Sequence, residues 1–293
     1  MGAQFSLAQM LGKIAPMIDI VDVGAMSVEG AQCDYAPLLK TGLCRVVGFE
    51  PVQSECDKLN ARKQKNHRYL PYFIGDGTER RFHLTNFVPT SSLFEPDAAL
   101  LSRFNNLEEL CRVVESSPVK TTRLDDITEI TGIDFLKIDI QGAELDAFRG
   151  GTRLLAGAVV ICTEVEFIPL YKGQPVFADI DSELRRQGFL LHMFADSISG
   201  RAFKPLMGPR GINERLNQVL WTDAVYVRNF MTFDALSPEQ LLKLAIILHD
   251  LYHSVDLANL ALQSYDRVTG KDVWKAYMTR LTGRNPGEMP VFL

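Results

Sequence analysis

The sequence predicts a doubly wound α/β domain with a mostly parallel sheet, followed by a small helical C-terminal appendage. Three observations predict it. Short, mainly apolar strand-like runs alternate with helix-like stretches, the pattern of a sheet covered on both faces. The first two runs end in glycine or acidic residues, as in Val21-Asp22-Val23-Gly24 and Val47-Gly48-Phe49-Glu50. From Asp234 onward the strand pattern gives way to helix-like apolar stripes. The 293 residues suit one large domain with an appendage, divided into a lead-in over 1–16, the α/β domain over 17–230 and the appendage over 231–293.

Each element follows in order. Phe5 to Ile14 reads as a short helix ended by Pro16. Met17 to Val23 is a strand, interrupted by Asp19, that runs into Gly24-Ala25. Ala31 to Lys40 reads as a helix closed by Thr41-Gly42. Cys44 to Phe49 is the second strand, ending at Glu50-Pro51, and Ser54 to Lys65 the second helix. Arg68 to Ile74 is the third strand, with Gly75-Asp76-Gly77-Thr78 as a hairpin turn and Arg80 to Leu84 returning from it. Thr85 to Val119 breaks the rhythm with Pro89, Pro96 and Pro118 and is expected to be an insertion or lid, with a helical piece near Asp97 to Phe104.

The α/β pattern then resumes. Asp134 to Ile140 is a strand, and Gln141-Gly142-Ala143-Glu144 leads into a helix that Gly150-Gly151 ends. Ala158 to Val165 is the next strand, and Phe177 to Gln187 a helix closed by Gly188. Phe189 to Phe194 and Asp223 to Arg228 are the final strands, with a loop from Ala195 to Gly211 rich in Gly, Pro, Ser and basic residues between them. Ser237-Pro238-Glu239 is a helix start with Pro in the first turn. Leu241, Leu242, Leu244, Ala245, Ile247 and Leu248 form an apolar stripe, and Leu257 to Leu262 and Val273 to Leu281 are helical. This appendage can either pack on the sheet domain or form a homodimer surface.

Composition narrows the function. A formal net charge of -5 argues against nucleic acid as a partner, because neutralising phosphates takes clustered Lys and Arg. The basic run from Ala61 to Arg68 reads as a solvated helix end. Five cysteines without C-x-x-C spacing and five histidines give no metal or disulfide framework, so a reducing cytoplasm is the expected location. No transmembrane segment and no secretory leader are expected. Gly2 with Ser6 fits the minimal myristoylation pattern, whose bland alternative is an amphipathic lead-in.

Four places can carry chemistry. At Val21-Asp22-Val23-Gly24-Ala25 a strand meets a tight turn, which can bring backbone close to a ligand at the carboxyl edge of the sheet. The dinucleotide fingerprint and the phosphate-loop motif are both absent, which makes an NAD-dependent oxidoreductase a poor reading. Glu50, 26 residues after Gly24, can accept the ribose hydroxyls of an adenosine-containing ligand. In Lys137-Ile138-Asp139 two ionisable side chains share one face of an apolar strand, and Asp139 lies at its carboxyl end. Glu144, in the first turn of the next helix, has a structural role open to it at the helix dipole. Glu164 and Glu166 share a face at the end of the following strand and could border the same pocket. His83 and His192 are isolated and read as structural.

These residues match a known pattern. The chain resembles the FkbM family of methyltransferases in Ile20-Val21-Asp22-Val23-Gly24-Ala25, Val47-Gly48-Phe49-Glu50-Pro51, Leu124-Asp125-Asp126-Ile127 and the long run from Phe135 through Lys137 and Asp139 to Leu145. Glu164-Val165-Glu166-Phe167 through Pro169-Leu170-Tyr171 is also similar, so the resemblance spans about Ile18 to Arg228. It implies a class I methyltransferase fold: a doubly wound, mostly parallel seven-stranded sheet with the last strand antiparallel. It also implies S-adenosyl-L-methionine as methyl donor and a hydroxyl acceptor on a sugar or natural-product-like small molecule. Carried over, Asp22 and Gly24 line the methionine end, Ala25 is a further cofactor-binding candidate, Glu50 holds the ribose, and Asp139 lies near the sulfonium and acceptor. The family's first motif often runs Gly-Ala-Asn-x-Gly. Here it is Gly24-Ala25-Met26-Ser27-Val28, with the next glycine at Gly30.

The expected reaction is in-line attack of an acceptor oxygen on the donor methyl, so positioning and electrostatics dominate. Asp139 is the candidate to orient or deprotonate the hydroxyl, assisted by Lys137 or Glu164. The alternative is a non-catalytic binding protein that keeps the fold and uses the helical tail for partners. Acceptor specificity is expected in the Thr85–Val119 insertion and the Ala195–Gly211 loop.

Overall fold

The computed structural model describes residues 5–25, 33–62, 65–195 and 197–284. The strands are β1 Ile18–Val23, β2 Cys44–Phe49, β3 His67–Leu70, β4 Phe73–Ile74, β5 Glu79–Thr85, β6 Val113–Thr122, β7 Phe135–Ile138, β8 Val160–Glu166, β9 Phe189–Phe194 and β10 Trp221–Arg228. The helices are α1 Leu7–Leu11, α2 Ala36–Leu39, α3 Gln53–Ala61, α4 Ala98–Leu101, α5 Leu107–Leu110, α6 Glu144–Gly150, α7 Thr152–Leu155, α8 Phe177–Arg186, α9 Pro238–Ile246, α10 Val255–Thr269 and α11 Val273–Thr282.

Seven strands form the main sheet in the order β3-β2-β1-β7-β8-β10-β9. The first five are parallel neighbours, and β10 runs antiparallel to both β8 and β9. This is the seven-stranded, mostly parallel sheet that the sequence predicts. Alternation along the strands sends successive side chains to opposite layers. Ile18 and Ile20 pack with the helical appendage, whereas Val21 and Val23 pack with Leu145, Phe148 and Leu184 of α6 and α8.

The appendage closes one face of the sheet. Leu241, Leu244, Ala245 and Leu248 share a core with Val46, Phe135, Val160 and Val225. Leu244 is fully buried, which contributes about 1.5–3 kcal/mol for a side chain of this size. The apolar stripe is thus covered by the protein's own sheet. At the start of α9 the Ser237 hydroxyl accepts from the Gln240 amide at 3.2 Å, and the Gln240 side chain accepts from the Ser237 amide at 3.1 Å. The lead-in joins the same layer. Asp250, in the π-helical turn Ile247–Leu251, accepts from the Leu7 and Ala8 amides at 2.6 and 3.1 Å, satisfying the free N–H groups that open α1. Ser6 caps the same helix and Gly2 lies outside the described residues.

The middle of the chain departs from the sequence reading. The run from Arg68 to Ile74 divides at Pro71 into β3, in the main sheet, and β4, in a second sheet of order β4-β6-β5. Gly75 to Thr78 is a turn, yet β4 and β5 do not pair with each other, because β6 lies between them. The stretch from Thr85 to Val119 therefore contains seven residues of a ten-residue strand. Pro118 is tolerated inside β6 because β4 pairs only with Thr121 and Thr122, leaving that side of the strand open at Pro118.

Candidate active site

The chain leaves β1 for β2 and β3 on one side and returns to β7 and β8 on the other. In a doubly wound sheet such a reversal opens a crevice at the carboxyl ends of the two central strands. Gly24 follows β1 there and Asp139 follows β7. Gly24 has φ +86°, and a Cβ at this position would lie 2.0 Å from the Asp139 carbonyl oxygen. Only glycine lets the two strand ends close on each other. The Asp139 amide donates to the Val23 carbonyl at 3.0 Å, and the Gly24 and Ala25 amides both donate to the Phe49 carbonyl, at 3.1 and 3.0 Å. These amides therefore fix the shape of the sheet edge and are already occupied. The continuation from Met26 through Gly30, where the sequence departs from the family pattern, lies outside the described residues.

A cavity of about 570 Å³ occupies the crevice. Asp22, Gly24, Ala25, Glu50, Lys137 and Asp139 all line it, so the fold brings six of the seven candidate residues to one space. Glu164 does not line it. The insertion contributes Val88, Pro89 and Leu93 to the wall, and Tyr69, Tyr72 and Phe73 supply aromatic surface. Gly48 makes room for one of these rings, since a Cβ there would meet Tyr69 at 2.5 Å. No described residue of the Ala195–Gly211 loop reaches the cavity. That loop lies on the insertion instead, with Phe203 stacked on Phe104 at 4.6 Å.

The charges are arranged unevenly. Glu50 is buried, its Oε1 accepts from the Val52 amide at 2.9 Å, and burial pushes its carboxyl above the usual range. Asp22 is also raised by burial, against the pull of Lys137 and of the Tyr35 hydroxyl, which donates to Oδ2 at 2.8 Å. The other Asp22 oxygen, Oδ1, is buried and has no hydrogen-bond partner among the described residues. Lys137 lies opposite Asp22 in the strand register, with its Nζ 3.7 Å from Asp139 and 3.9 Å from Asp34. Burial alone would lower its pKa, but the carboxylates of Asp139, Asp22, Asp34 and Asp223 outweigh it and raise the value. Lys137 is thus an ammonium ion and not a base at neutral pH.

Beyond Asp139 the chain makes a left-handed turn at Gln141, φ 56°, and Gly142, φ 105°. Such a conformation costs a non-glycine residue roughly 1–3 kcal/mol and persists where the surroundings fix it. Here they do. The Gln141 Nε2 donates to Asp139 Oδ1 at 2.8 Å and to Glu164 Oε2 at 2.5 Å, while its Oε1 accepts from the Tyr171 hydroxyl at 2.9 Å. Its backbone carbonyl accepts from Ser92 of the insertion at 2.6 Å. Glu164 is held well above the usual carboxylate range by burial first, then by Asp139, Glu166 and Glu144. Glu144 accepts from the Ile140 amide at 2.8 Å, bracing the turn, and burial pushes it up to about 7. Gln141, Tyr35, Tyr171 and Ser92 are the site residues that sequence reasoning missed. Gln141 left a signal in its place beside Gly142 in a turn that follows an acidic strand end, and Tyr171 in the family-like run Pro169-Leu170-Tyr171. Among the described residues, no group of three or more His, Cys, Asp or Glu side chains could hold a metal ion.

A seven-stranded sheet in this order, with β10 reversed and a crevice at its switch point, defines a class I methyltransferase. Residues 22–191 match the Methyltransferase FkbM domain, and the chain belongs to the FkbM methyltransferase family. It is an enzyme, and its methyl donor is S-adenosylmethionine. No curated protein matches the sequence. Among solved structures, magnesium protoporphyrin IX methyltransferase (ChlM) from Synechocystis PCC 6803, with bound SAM, aligns at 11% identity over 76% of this chain and 74% of that chain, with a TM-score of 0.38. Methyltransferase FkbM from Methylobacillus flagellatus KT aligns at 13% identity over 72% of this chain and 43% of that chain, with a TM-score of 0.38. Likenesses this distant carry no information on the acceptor.

The residues present suit the donor. Glu50 presents a buried carboxylate of the kind that accepts a pair of ribose hydroxyls, and the unpartnered Asp22 Oδ1 suits an ammonium group. No helix among the described residues is long and apolar enough to cross a membrane.

Proposed function

We propose that this enzyme methylates a hydroxyl group of a sugar-like or natural-product-like small molecule, with Asp139 as the residue that receives the acceptor. The observation that carries this reading is the placement of Asp139. Its carboxylate lines the cavity at the end of β7, with one oxygen held by Gln141 and the other facing the Lys137 ammonium. Glu50 would hold the ribose, while Asp22, Gly24 and Ala25 would border the methionine end. The donor, when bound, supplies an electrophilic methyl on a cationic sulfur.

The protein's own groups then have distinct tasks. Asp139 orients the acceptor hydroxyl and takes its proton at a carboxylate oxygen as the oxygen–methyl bond forms. Lys137, with its Nζ 3.7 Å from Oδ2, fixes the direction of the Asp139 side chain. Glu164, whose carboxyl burial and the neighbouring acids hold above the usual range, anchors Gln141 from behind and does not meet the acceptor. A surface without a concentrated basic face suits a small uncharged acceptor better than a nucleic acid. The five cysteines, none of them in a disulfide, suit a reducing cytoplasm.

The test is to incubate the enzyme with donor and matched sets of alcohols, amines and carboxylic acids of sugar-like and apolar types, and to read the products by mass. Products gaining one CH2 in the alcohol set alone are expected. Transfer confined to amines or carboxylates contradicts the proposal.

A further inference from the structure

We propose that the acceptor is an apolar alcohol that presents a single hydroxyl to Asp139, with its carbon skeleton lying against a hydrocarbon wall built by β5 and the insertion. This rests on the hydroxyl chemistry proposed above and narrows its acceptor to molecules with an apolar skeleton. The insertion is anchored at the end of β7 that leads to Asp139. Ser92 donates to the Gln141 carbonyl at 2.6 Å, and the Tyr171 hydroxyl lies 2.9 Å from both the Thr90 carbonyl and Gln141 Oε1. The segment from Val88 to Leu93 is therefore held beside the turn that follows Asp139.

Backbone hydrogen bonds between His83 and Ser92, at 2.8 and 3.2 Å, set Phe82 opposite Leu93. Phe82, Val88, Pro89 and Leu93 all line the cavity. Phe73 packs edge-on against Phe82, with ring centres 5.0 Å apart, and holds that ring in place. Val88 is also exposed, so the same wall reaches the cavity mouth and can take a skeleton longer than one ring. With the donor placed as proposed above, along Asp22 of β1 and Glu50 after β2, its adenine falls toward Pro51, Val52 and Leu59, away from β7. The wall beside Asp139 is thus left to the acceptor.

The polar side chains of this wall are already engaged within the protein. Ser92 Oγ donates to Gln141 and accepts from the Phe94 amide at 2.9 Å. Ser91 Oγ accepts from the Thr85 amide at 3.1 Å and lies 3.3 Å from the Thr85 hydroxyl. The Gln141 side-chain nitrogen donates to Asp139 and Glu164, and its oxygen accepts from Tyr171. Among the described residues on this side of the cavity, Asp139 and the Lys137 ammonium beside it are the groups left to meet a hydroxyl. Each further hydroxyl of a polyol would be buried there without a partner, which is strongly disfavoured. A hydrocarbon skeleton gains by leaving water for the same surface.

The experiment is calorimetric titration of the full chain, its donor end filled with S-adenosylhomocysteine, with two ligands of similar shape. One is 4-cyclohexylcyclohexanol, whose carbon rings bear a single hydroxyl, and the other is maltose, whose rings bear many. The monoalcohol is expected to bind about 100-fold or more tightly than the sugar. Leu93→Asn, which puts an amide into the wall, is expected to weaken the monoalcohol about ten-fold. Unchanged S-adenosylhomocysteine binding reports that this variant is folded. Val88→Asn, at a side chain already 40% exposed, is a second variant that the fold tolerates, with a loss of about three-fold or more. Maltose bound as tightly as the monoalcohol overturns the proposal, and so does binding of neither. Monoalcohol binding that a folded wall variant leaves unchanged also overturns it. A monoalcohol that binds as expected but gains no CH2 from the donor supports the wall and contradicts the hydroxyl transfer, so the two readings fail separately.

Discussion

Replacing Gly24 with alanine is expected to lower the thermal midpoint by about 10 °C, an unusually large effect for one methyl group. The added Cβ would lie 2.0 Å from the Asp139 carbonyl oxygen, closer than any van der Waals contact allows. That oxygen belongs to backbone held by the hydrogen bond that the Asp139 N–H donates to the Val23 carbonyl, so it cannot rotate away as a side chain would. Adding a left-handed φ for a residue with a Cβ to the strain of forcing β1 and β7 apart gives roughly 3–4 kcal/mol. The same displacement moves Asp22 and Asp139 within the donor cavity, so donor affinity is expected to fall about ten-fold or more, the equivalent of 1.4 kcal/mol of misplacement. Gly132 supplies the control. A Cβ there meets nothing within 4 Å, and Gly132→Ala is expected to be neutral or slightly stabilising. Differential scanning calorimetry of the two variants decides the matter. Equal midpoints would mean that Gly24 is an ordinary turn glycine.

Asp139→Ala is expected to reduce methyl transfer by about 10²–10⁴-fold, the usual contribution of a positioned acid–base group, while donor binding changes little. The division follows from the geometry: Asp139 faces the cavity between Lys137 and Gln141, whereas Glu50 and Asp22, the carboxylates proposed to hold the donor, lie at the ends of other strands. Asp139→Asn separates the two halves of the role. It retains an oxygen that can orient a hydroxyl but cannot take its proton. Turnover as low as in the alanine variant assigns proton acceptance, and turnover near wild type assigns orientation alone. Unchanged turnover in both variants removes Asp139 from the reaction.

The sequence was informative where burial on both faces governs the chain. β1, β7 and β8 are short apolar runs because helices cover both their faces, and Asp22, Lys137 and Asp139 stand out for that reason. Glu50 was legible for a similar cause, as an acid that ends an apolar strand. β6 was hidden because most of its side chains are exposed and it contains Pro118, so neither alternation nor apolar content announced it. β4 is only two residues long, too short to carry any period. The network around Gln141 was hidden for a different reason. Its partners Ser92, Glu164 and Tyr171 come from three separate parts of the chain, and only the fold brings them to one residue, Ser92 at its backbone carbonyl and the other two at its side-chain amide. The charge state of Lys137 depends in the same way on Asp34 and Asp223, which lie far from it in sequence. Glu164, read as a neighbour of the acceptor, reaches Asp139 only through that amide.

The cavity between Gly24, Glu50 and Asp139 is proposed to bind S-adenosylmethionine. Calorimetric titration of the donor into the wild-type protein and into Glu50→Ala tests it most directly. The wild-type protein is expected to bind at a single site. The variant is expected to bind about 10²–10⁴-fold more weakly, from the loss of two charged hydrogen bonds each worth roughly 1.5–3 kcal/mol. A wild-type protein that takes up no donor, or a Glu50→Ala variant that binds it as tightly as wild type, would contradict the assignment.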